Sequence, residues 1–237
     1  MGDWGERAEA WSAHWTRLSE PARAAVADAA GIGAGTRVLD AGCGTGEFCA
    51  QALALGARVS GIDASEGMLA LARRRAPEAD LRVGDIARLP YDDDAFDVVT
   101  AFNAVQFADD IPAAIAELAR VGRTVAICNW GGKRDLAVMF NAVSVPSPRR
   151  DALPRLSDPG VLEELMRAAG LAPQATADVP TPYEVPDLAT LVVALRDGSG
   201  FELATEDRVR EAAAPYRRAD GSYRFENRFR YVVATRS

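Results

Sequence analysis

The chain has 237 residues, 49% of them hydrophobic, with 34 acidic against 27 basic side chains and a formal net charge of −7. That length and apolar fraction fit one large α/β domain with appendages around a sizeable core. The acidic balance argues against DNA or RNA as a partner, because such binding leans on Lys and Arg contacts to phosphates.

The opening residues, Met1-Gly2-Asp3-Trp4-Gly5-Glu6, lack the basic region and apolar stretch of a signal peptide. Residues 3–30 read as one or two helices. Trp4, Trp11 and Trp15 recur at spacings of seven and four, along one helical face. Such a stripe either docks the segment on a sheet or forms a lid whose aromatic faces meet a cation and a substrate. His14, the only histidine, lies between the last two tryptophans and is the candidate general base. Gly31 and Gly35 then punctuate the approach to the first strand.

Val38-Leu39-Asp40-Ala41-Gly42-Cys43-Gly44-Thr45-Gly46-Glu47-Phe48 is the stretch around which the chain is organised. Branched apolar residues read as a buried strand ending on an acid. Glycines at alternate positions force a tight turn that a ligand can approach without meeting a Cβ. Phe48, Ala52 and Leu53 then carry helical spacing, closed at Gly56. The glycine spacing departs from the G-x-G-x-x-G of dinucleotide sites, whose pyrophosphate sits on bare amides. Asp40 and Glu47 bracket the corner, a setting that repels a pyrophosphate but not a ligand carrying ammonium and sulfonium groups.

Residues 58–63 form a second strand ending on Asp63, 23 positions after Asp40 and close to where a βαβ unit places the carboxylate that holds a ribose diol. Ser65 can cap a helix over 66–75 before Pro77. Its closing Arg73-Arg74-Arg75 reads as a solvated helix end. Residues 81–86 make a third strand reaching Asp85 and Ile86. The run Asp92-Asp93-Asp94 reads as an exposed turn, not a metal site, since no histidine or distant carboxylate joins it. Residues 97–102 are the fourth strand, and the loop after it, with Asn103, Gln106 and Phe107, faces the crevice where such sheets bind ligands. Asp110 caps a helix to Val121, a short Gly122-Arg123 turn follows, and residues 124–130 form the fifth strand. Trp130 emerges at its end as a candidate wall of the substrate cavity.

Residues 133–157, with Met139, Phe140, Pro146, Pro148 and Pro154, read as mixed helix and loop, the place where such folds build substrate pockets. Asp158-Pro159 signals a helix start and Gly170 its stop. A sixth strand is expected around 175–179, helices over 187–196 and 205–214, and a terminal strand over 228–235 as an antiparallel edge. Cys43, Cys49 and Cys128 are odd in number and lack metal-ligand pairing, which suits a reducing cytoplasm. Lys133 is the only lysine amid abundant arginine and alanine, the composition of a high-GC bacterial coding sequence.

The string V-L-D-A-G-C-G-T-G, with acid-ended strands at Asp40, Asp63 and Asp85, resembles class I S-adenosylmethionine (SAM) dependent methyltransferases of the small "domain 11" type. The resemblance covers residues 36–131 well; the first 30 and the last 105 or so match only in general plan. It implies a doubly wound, Rossmann-like, seven-stranded sheet, mostly parallel with an antiparallel strand near one edge, helices on both faces, and an N-terminal helical lid. It divides a single domain of residues 1–237 into a lid (1–32), a SAM-binding core (33–131) and a substrate-side insertion with C-terminal strands (132–237). Asp40, Gly42, Gly44, Asp63, Ala64, Met68, Asp85, Ile86 and Asn103 would hold the cofactor. Trp11, Trp15, Gln106, Phe107 and Trp130 would serve lid and substrate, with His14 as base. Many relatives carry a proline-glycine-glycine turn before the fifth strand, where this chain has only Gly122-Arg123.

The activity implied is methyl transfer to a small-molecule acceptor in the cytoplasm, leaving S-adenosylhomocysteine (SAH), with no metal, nucleic acid or membrane partner. Two other readings stay open: a peptide or protein methyltransferase, and a SAM-binding protein with a different activity.

Overall fold

The computed structural model describes residues 4–143, 156, 158–198 and 205–236. Helix α1 (Ala8–His14), a 3-10 turn (Thr16–Ser19) and α2 (Glu20–Ala29) precede the sheet. There follow β1 (Arg37–Ala41), α3 (Glu47–Ala54), β2 (Arg58–Asp63), α4 (Glu66–Arg75), β3 (Asp80–Val83), β4 (Phe96–Phe102), α5 (Ile111–Val121) and β5 (Gly122–Arg134). The rest comprises α6 (Asp135–Val143), α7 (Val161–Ala168), β6 (Leu171–Pro180), β7 (Tyr183–Val185), α8 (Leu188–Val193), α9 (Glu206–Ala213), β8 (Tyr223–Phe225) and β9 (Asn227–Arg236).

Seven strands form one sheet in the order β3-β2-β1-β4-β5-β9-β6, and β7 pairs with β8 in a separate two-stranded ribbon. The first five are mutually parallel, and β9 runs antiparallel to both its neighbours. The order reverses at β1/β4, so the carboxyl ends of β1, β2 and β4 open on one crevice. Val38, Leu39, Asp40 and Ala41 of β1 are all buried, so the strand is covered on both faces. Leu39, Val99, Val125 and Ile127 face α5 and α7 through Ile115, Leu118, Leu162 and Met166. On the opposite face Val38, Val59 and Val98 meet Phe48, Ala52, Leu69 and Ala72 of α3 and α4. Farther along that face, Cys128 and Phe229 meet Trp15, Leu136, Met139 and Leu191.

Helix α5 shows local sequence setting local structure. Asp110 Oδ1 accepts from the Ala113 amide at 2.9 Å, Pro112 occupies the first turn, and Ile111, Ala114, Ile115 and Leu118 line the buried side. The helix runs into β5 without a loop. A Cβ on Gly122 would stand 2.4 Å from Val99 Cγ2, so the glycine permits that direct junction.

Several boundaries differ from expectation for identifiable reasons. Strand β3 ends at Val83, leaving Asp85 outside it, because the Asp85 carboxylate accepts from the Ala87 amide at 2.8 Å and turns the chain. Helix α7 starts at Val161 instead of Asp158, since Gly160 sits at φ +87°. The terminal strand is not the edge: β9 lies between β5 and β6, and β6 takes the edge. Trp4 precedes α1, so the three tryptophans do not share one helix. Of 133–157, α6 takes the first part; Pro146, Pro148 and Pro154 lie outside the described residues.

Candidate active site

The site begins at the glycine turn, where each glycine has its own steric reason. Gly42, at φ +76°, would drive a Cβ to 2.3 Å from Ala104 Cβ. Gly46, at φ +81°, would press one to 2.8 Å from the Ala72 backbone, so this glycine packs α3 against α4. Gly44, at φ +53°, faces open space, and its amide donates to Asp63 Oδ2 at 2.9 Å. Gly44 is therefore the place where bare backbone can meet a ligand.

The carboxylates of this corner do not sit as its charge pattern implied. Asp40 is 3% exposed; Oδ1 accepts from Thr100 Oγ1 at 2.8 Å, and Oδ2 lies 3.8 Å from Cys49 Sγ. Burial pushes its carboxyl up to about 7, against the pull of the Thr100 hydrogen bond and the Arg23 charge. Glu47 is paired with Arg75 and accepts from Thr45 Oγ1 at 2.5 Å. One carboxyl is thus partly protonated and the other neutralised. The corner alone therefore does not carry two free negative charges.

Asp63 ends β2 at the crevice. Its Oδ1 accepts from the Ser65 amide and its Oδ2 from the Gly44 amide, each at 2.9 Å. Burial raises its carboxyl above the ordinary range while those two amides pull it back. Two amide donors leave lone pairs on each oxygen free to accept further bonds from a ligand. A cleft of about 600 Å³ opens beside it, lined by Trp4, Gly5 and Glu6 on one side and by Asp63, Ala64 and Ser65 on the other. Ser65 Oγ caps α4 by accepting from the Met68 amide at 3.3 Å, and Met68 is buried. Asp85 is exposed and Ile86 half-buried on the loop after β3, just beyond Val83, the residue in register with Asp63.

Asn103 stands immediately beyond β4 at φ +50°, a left-handed conformation uncommon outside glycine. Its amide donates to Cys128 O at 2.8 Å, and its buried Oδ1 has no hydrogen-bond partner. The orphaned acceptor makes Asn103 a candidate ligand contact beside the crevice. Gln106 is half-buried and Phe107 is 40% exposed on the following 3-10 turn.

The N-terminal segment crosses this mouth. Trp4 packs edge-on against both Trp11 and Phe107, at 5.5 and 5.8 Å between ring centres. Trp11 stacks at 6.3 Å on Trp15. Trp15 itself is 3% exposed, donates from Nε1 to Ala194 O at 3.1 Å and stacks on Tyr183. Trp4 thus borders the cleft, Trp11 packs between it and the core, and Trp15 anchors in the core. His14 is half-buried at the end of α1. Trp130, half-buried, stacks on Phe229 at 4.9 Å.

Three features lie outside the sequence reading. Arg74 and Arg75 end α4 exposed, as expected, but not unpartnered: Arg74 pairs with Glu9, and Arg75 bonds Ser12 Oγ at 2.8 Å and reaches Thr45 O and Glu47. Buried Arg23 holds Thr16 O and Ser19 Oγ while facing the charges of Glu47 and Asp40. A Cβ on Gly67 would stand 2.4 Å from Gly5 Cα, so two glycines let the N-terminal segment and α4 touch backbone to backbone. A contact between glycines 62 positions apart leaves no local signal in one sequence.

Comparison with known proteins bears on this geometry. Residues 39–128 match the methyltransferase domain family. Malonyl-[acyl-carrier protein] O-methyltransferase of Serratia marcescens is 44% identical over 89 residues, 38% of this chain and 35% of that protein. The chain thus aligns with about a third of that relative's length. Magnesium protoporphyrin IX methyltransferase of Synechocystis, solved with bound SAH, superposes at a TM-score of 0.58 and 17% identity, covering 93% of this chain and 86% of that one. The [4+2]-cyclase SpnF superposes at 0.63 and 21% identity, covering 94% and 83%. At those identities the structural likeness is one of fold. The glycine turn and the strand order agree with the matched segment: residues 39–128 carry a methyltransferase domain, set in a sheet of the fold shared by solved methyltransferases.

Proposed function

We propose that this protein transfers a methyl group from SAM to a small-molecule acceptor in the cytoplasm. The observation that carries the reading is the Asp63 carboxylate: held by two backbone amides, one from the glycine turn, it borders a cleft with acceptor capacity left over. A vicinal diol donates two hydrogen bonds, and a fixed carboxylate is its natural partner. Gly44 leaves room for backbone approach, and Asn103 Oδ1 offers an acceptor to an ammonium. These residues fit SAM, with Asp63 and Ala64 at the ribose, Met68, Asp85 and Ile86 at the adenine, Gly42 and Gly44 beneath, and Asn103 at the amino acid end. Asp40 supports the set from below by fixing β1 to β4 through Thr100.

SAM supplies a methyl already activated by a sulfonium. The chain's task is alignment and exclusion of water, and holding two reactants in near-attack geometry can supply about 7–11 kcal/mol of a barrier. Trp4, Trp11 and Phe107 close the mouth against solvent, with Trp130 and Gln106 toward the acceptor. His14 is the proposed base for an acceptor that must lose a proton. The free thiols of Cys43, Cys49 and Cys128 accord with a reducing compartment, and no helix among the described residues is long and apolar enough to cross a membrane.

The named relatives act on an acyl-carrier-protein-bound malonyl group and on a porphyrin, and that range supports a small-molecule acceptor. The fold shared with a cyclase supports a second reading, SAM bound without methyl transfer. Titration calorimetry with SAH tests the shared premise; no heat sinks both. A methyl-transfer assay with mass analysis separates them: a product heavier by one CH₂ supports transfer, and bound SAM with no methylated product from small molecules or peptides supports the other.

A further inference from the structure

The sheet has two outer edges, and they are built differently. β3 is short, and its Asp80 and Arg82 are exposed charges, the usual guard against a further strand. β6 runs ten residues from Leu171 to Pro180 and, among the described residues, pairs only with β9. Its exposed positions Gln174, Thr176 and Asp178 carry one charge between them, already shared with Arg230. An edge this long, with so little to repel a neighbour, is a template for another strand.

The ladder fixes which groups along that edge are unmet. The Thr181 amide donates to Asn227 O at 2.9 Å, which makes Thr181 and Asn227 a hydrogen-bonded pair. Alternation along the antiparallel ladder then turns the backbone groups of Ala175, Ala177 and Val179 toward β9. It turns the amides and carbonyls of Gln174, Thr176 and Asp178 outward. Pro173 and Pro180 flank this run and have no amide to offer, so the run has a defined length.

We propose that β6 is the interface of a two-fold homodimer, in which Thr176 lies opposite Thr176 of a second copy and the two sheets become one. In this antiparallel register Gln174 of each copy faces Asp178 of the other, and each opposed pair satisfies its outward amide and carbonyl. The Gln174 side chain, which reaches only its neighbour Ala172 O at 3.1 Å, gains a carboxylate that is 41% exposed. Sliding the second strand by two positions either way sets Asp178 opposite Ala172, or Gln174 opposite Pro180, which has no amide. The outward groups are thus complementary to themselves, which points to a second copy as the occupant. A ladder this short falls below the about 1,200–2,000 Å² that a stable interface buries, so the flanking helices have to meet as well. α2 packs across β6 and β9 on one face and α7 packs on β6 on the other, so pairing brings each beside its mate. The exposed positions of α2 include Pro21, Ala24 and Ala29, small residues that allow two helices to approach. The assembly depends on the sheet edge and not on the ligand, so it stands apart from the methyltransferase reading.

Sedimentation equilibrium on the full chain at micromolar concentration should give twice the chain mass. Thr176→Pro removes an outward amide that the fold does not use; it should weaken dimerisation by about tenfold or more and leave the far-ultraviolet circular dichroism unchanged. Cross-linking with oxidised glutathione reads the register. Thr176→Cys places two thiols on a pair whose Cα atoms are about 5.5 Å apart, within disulfide reach, and should yield a covalent dimer. Gln174→Cys sets the two thiols about four residues apart along the strands, about 14 Å, and should not. A wild-type chain of single mass, a Thr176→Pro variant that dimerises undiminished, or Gln174→Cys cross-linking as readily as Thr176→Cys each overturns the proposal. Should Thr176→Pro fail to fold, Thr176→Lys, which opposes two cations at the two-fold axis, carries the same test: a monomer supports the interface, and undiminished dimerisation rejects it.

Discussion

Asp63 joins two strand ends through one carboxylate, and its replacement should be read at the ligand and not in the fold. Asp63→Asn keeps the shape but cannot accept from both the Gly44 and Ser65 amides as a charged group does. Charge-assisted hydrogen bonds contribute about 1.5–3 kcal/mol, so SAH affinity should fall by about ten- to a hundredfold in calorimetry. Unchanged affinity would remove the basis of the ribose assignment. His14→Ala addresses a different step: turnover should drop far more than SAM affinity, and equal turnover would dismiss His14 as base.

Asp40 makes a prediction about pH. Its carboxyl titrates near 7 in the folded chain against 3.8 ordinarily, because burial disfavours the charge. The folded state therefore binds this proton more tightly than the unfolded chain, so the contribution to stability is complete below pH 3.8 and is lost as pH rises through about 7. Asp40→Asn stays neutral throughout. Its stability relative to the wild type should improve on going from acid to mildly alkaline buffer, as denaturant titrations can show. A flat difference across that window would mean that Asp40 is already ionised.

At the scale of elements, the N-terminal segment is fastened to α4 and to the glycine turn by short polar links. Arg75 bonds Ser12, Thr45 and Glu47, and the Gly5–Gly67 contact sets the segment against the first turn of α4. Surface ion pairs contribute little to stability, about 0–1 kcal/mol. The Arg75–Glu47 pair is more buried than that, so Arg75→Met should lower Tm measurably, and it should also speed SAH release in stopped-flow experiments that follow Trp4 and Trp11 fluorescence. Gly67→Ala, which forces the Gly5 backbone away, should do the same. Release rates equal to the wild type in both variants would show that the segment does not gate the cleft.

Across the whole molecule, Asn227 ties the C-terminal half together. Its Oδ1 accepts from the Leu136 amide at the start of α6 and its Nδ2 donates to Phe225 O, each at 3.1 Å, while its carbonyl accepts from Thr181 at 2.9 Å. Asn227→Ala keeps the backbone bond but orphans two buried groups, each costing about 1–3 kcal/mol. Urea denaturation should show a loss of about 2–6 kcal/mol, and a loss below about 1 would mean that the α6 and β8 groups find other partners.

The cofactor half was legible in the residues because its signals are local. A strand running into alternate glycines, an acid at the next strand's end and a serine or aspartate before each helix act through neighbours in sequence, so Asp63, Gly44 and the caps of α4 and α5 could be placed from the string alone. What one turn cannot encode is which distant groups meet. Asp40 and Glu47 read as a pair of free charges; packing against Thr100 and reach from Arg75 made one a buried, proton-holding support and the other half of an ion pair. Trp15 shared a stripe with Trp11 but went into the core against Tyr183, and the last strand went inside the sheet because β6 could pair along its outer side. Periodicity records which residues avoid water; only the assembled sheet determines which partner each one finds there.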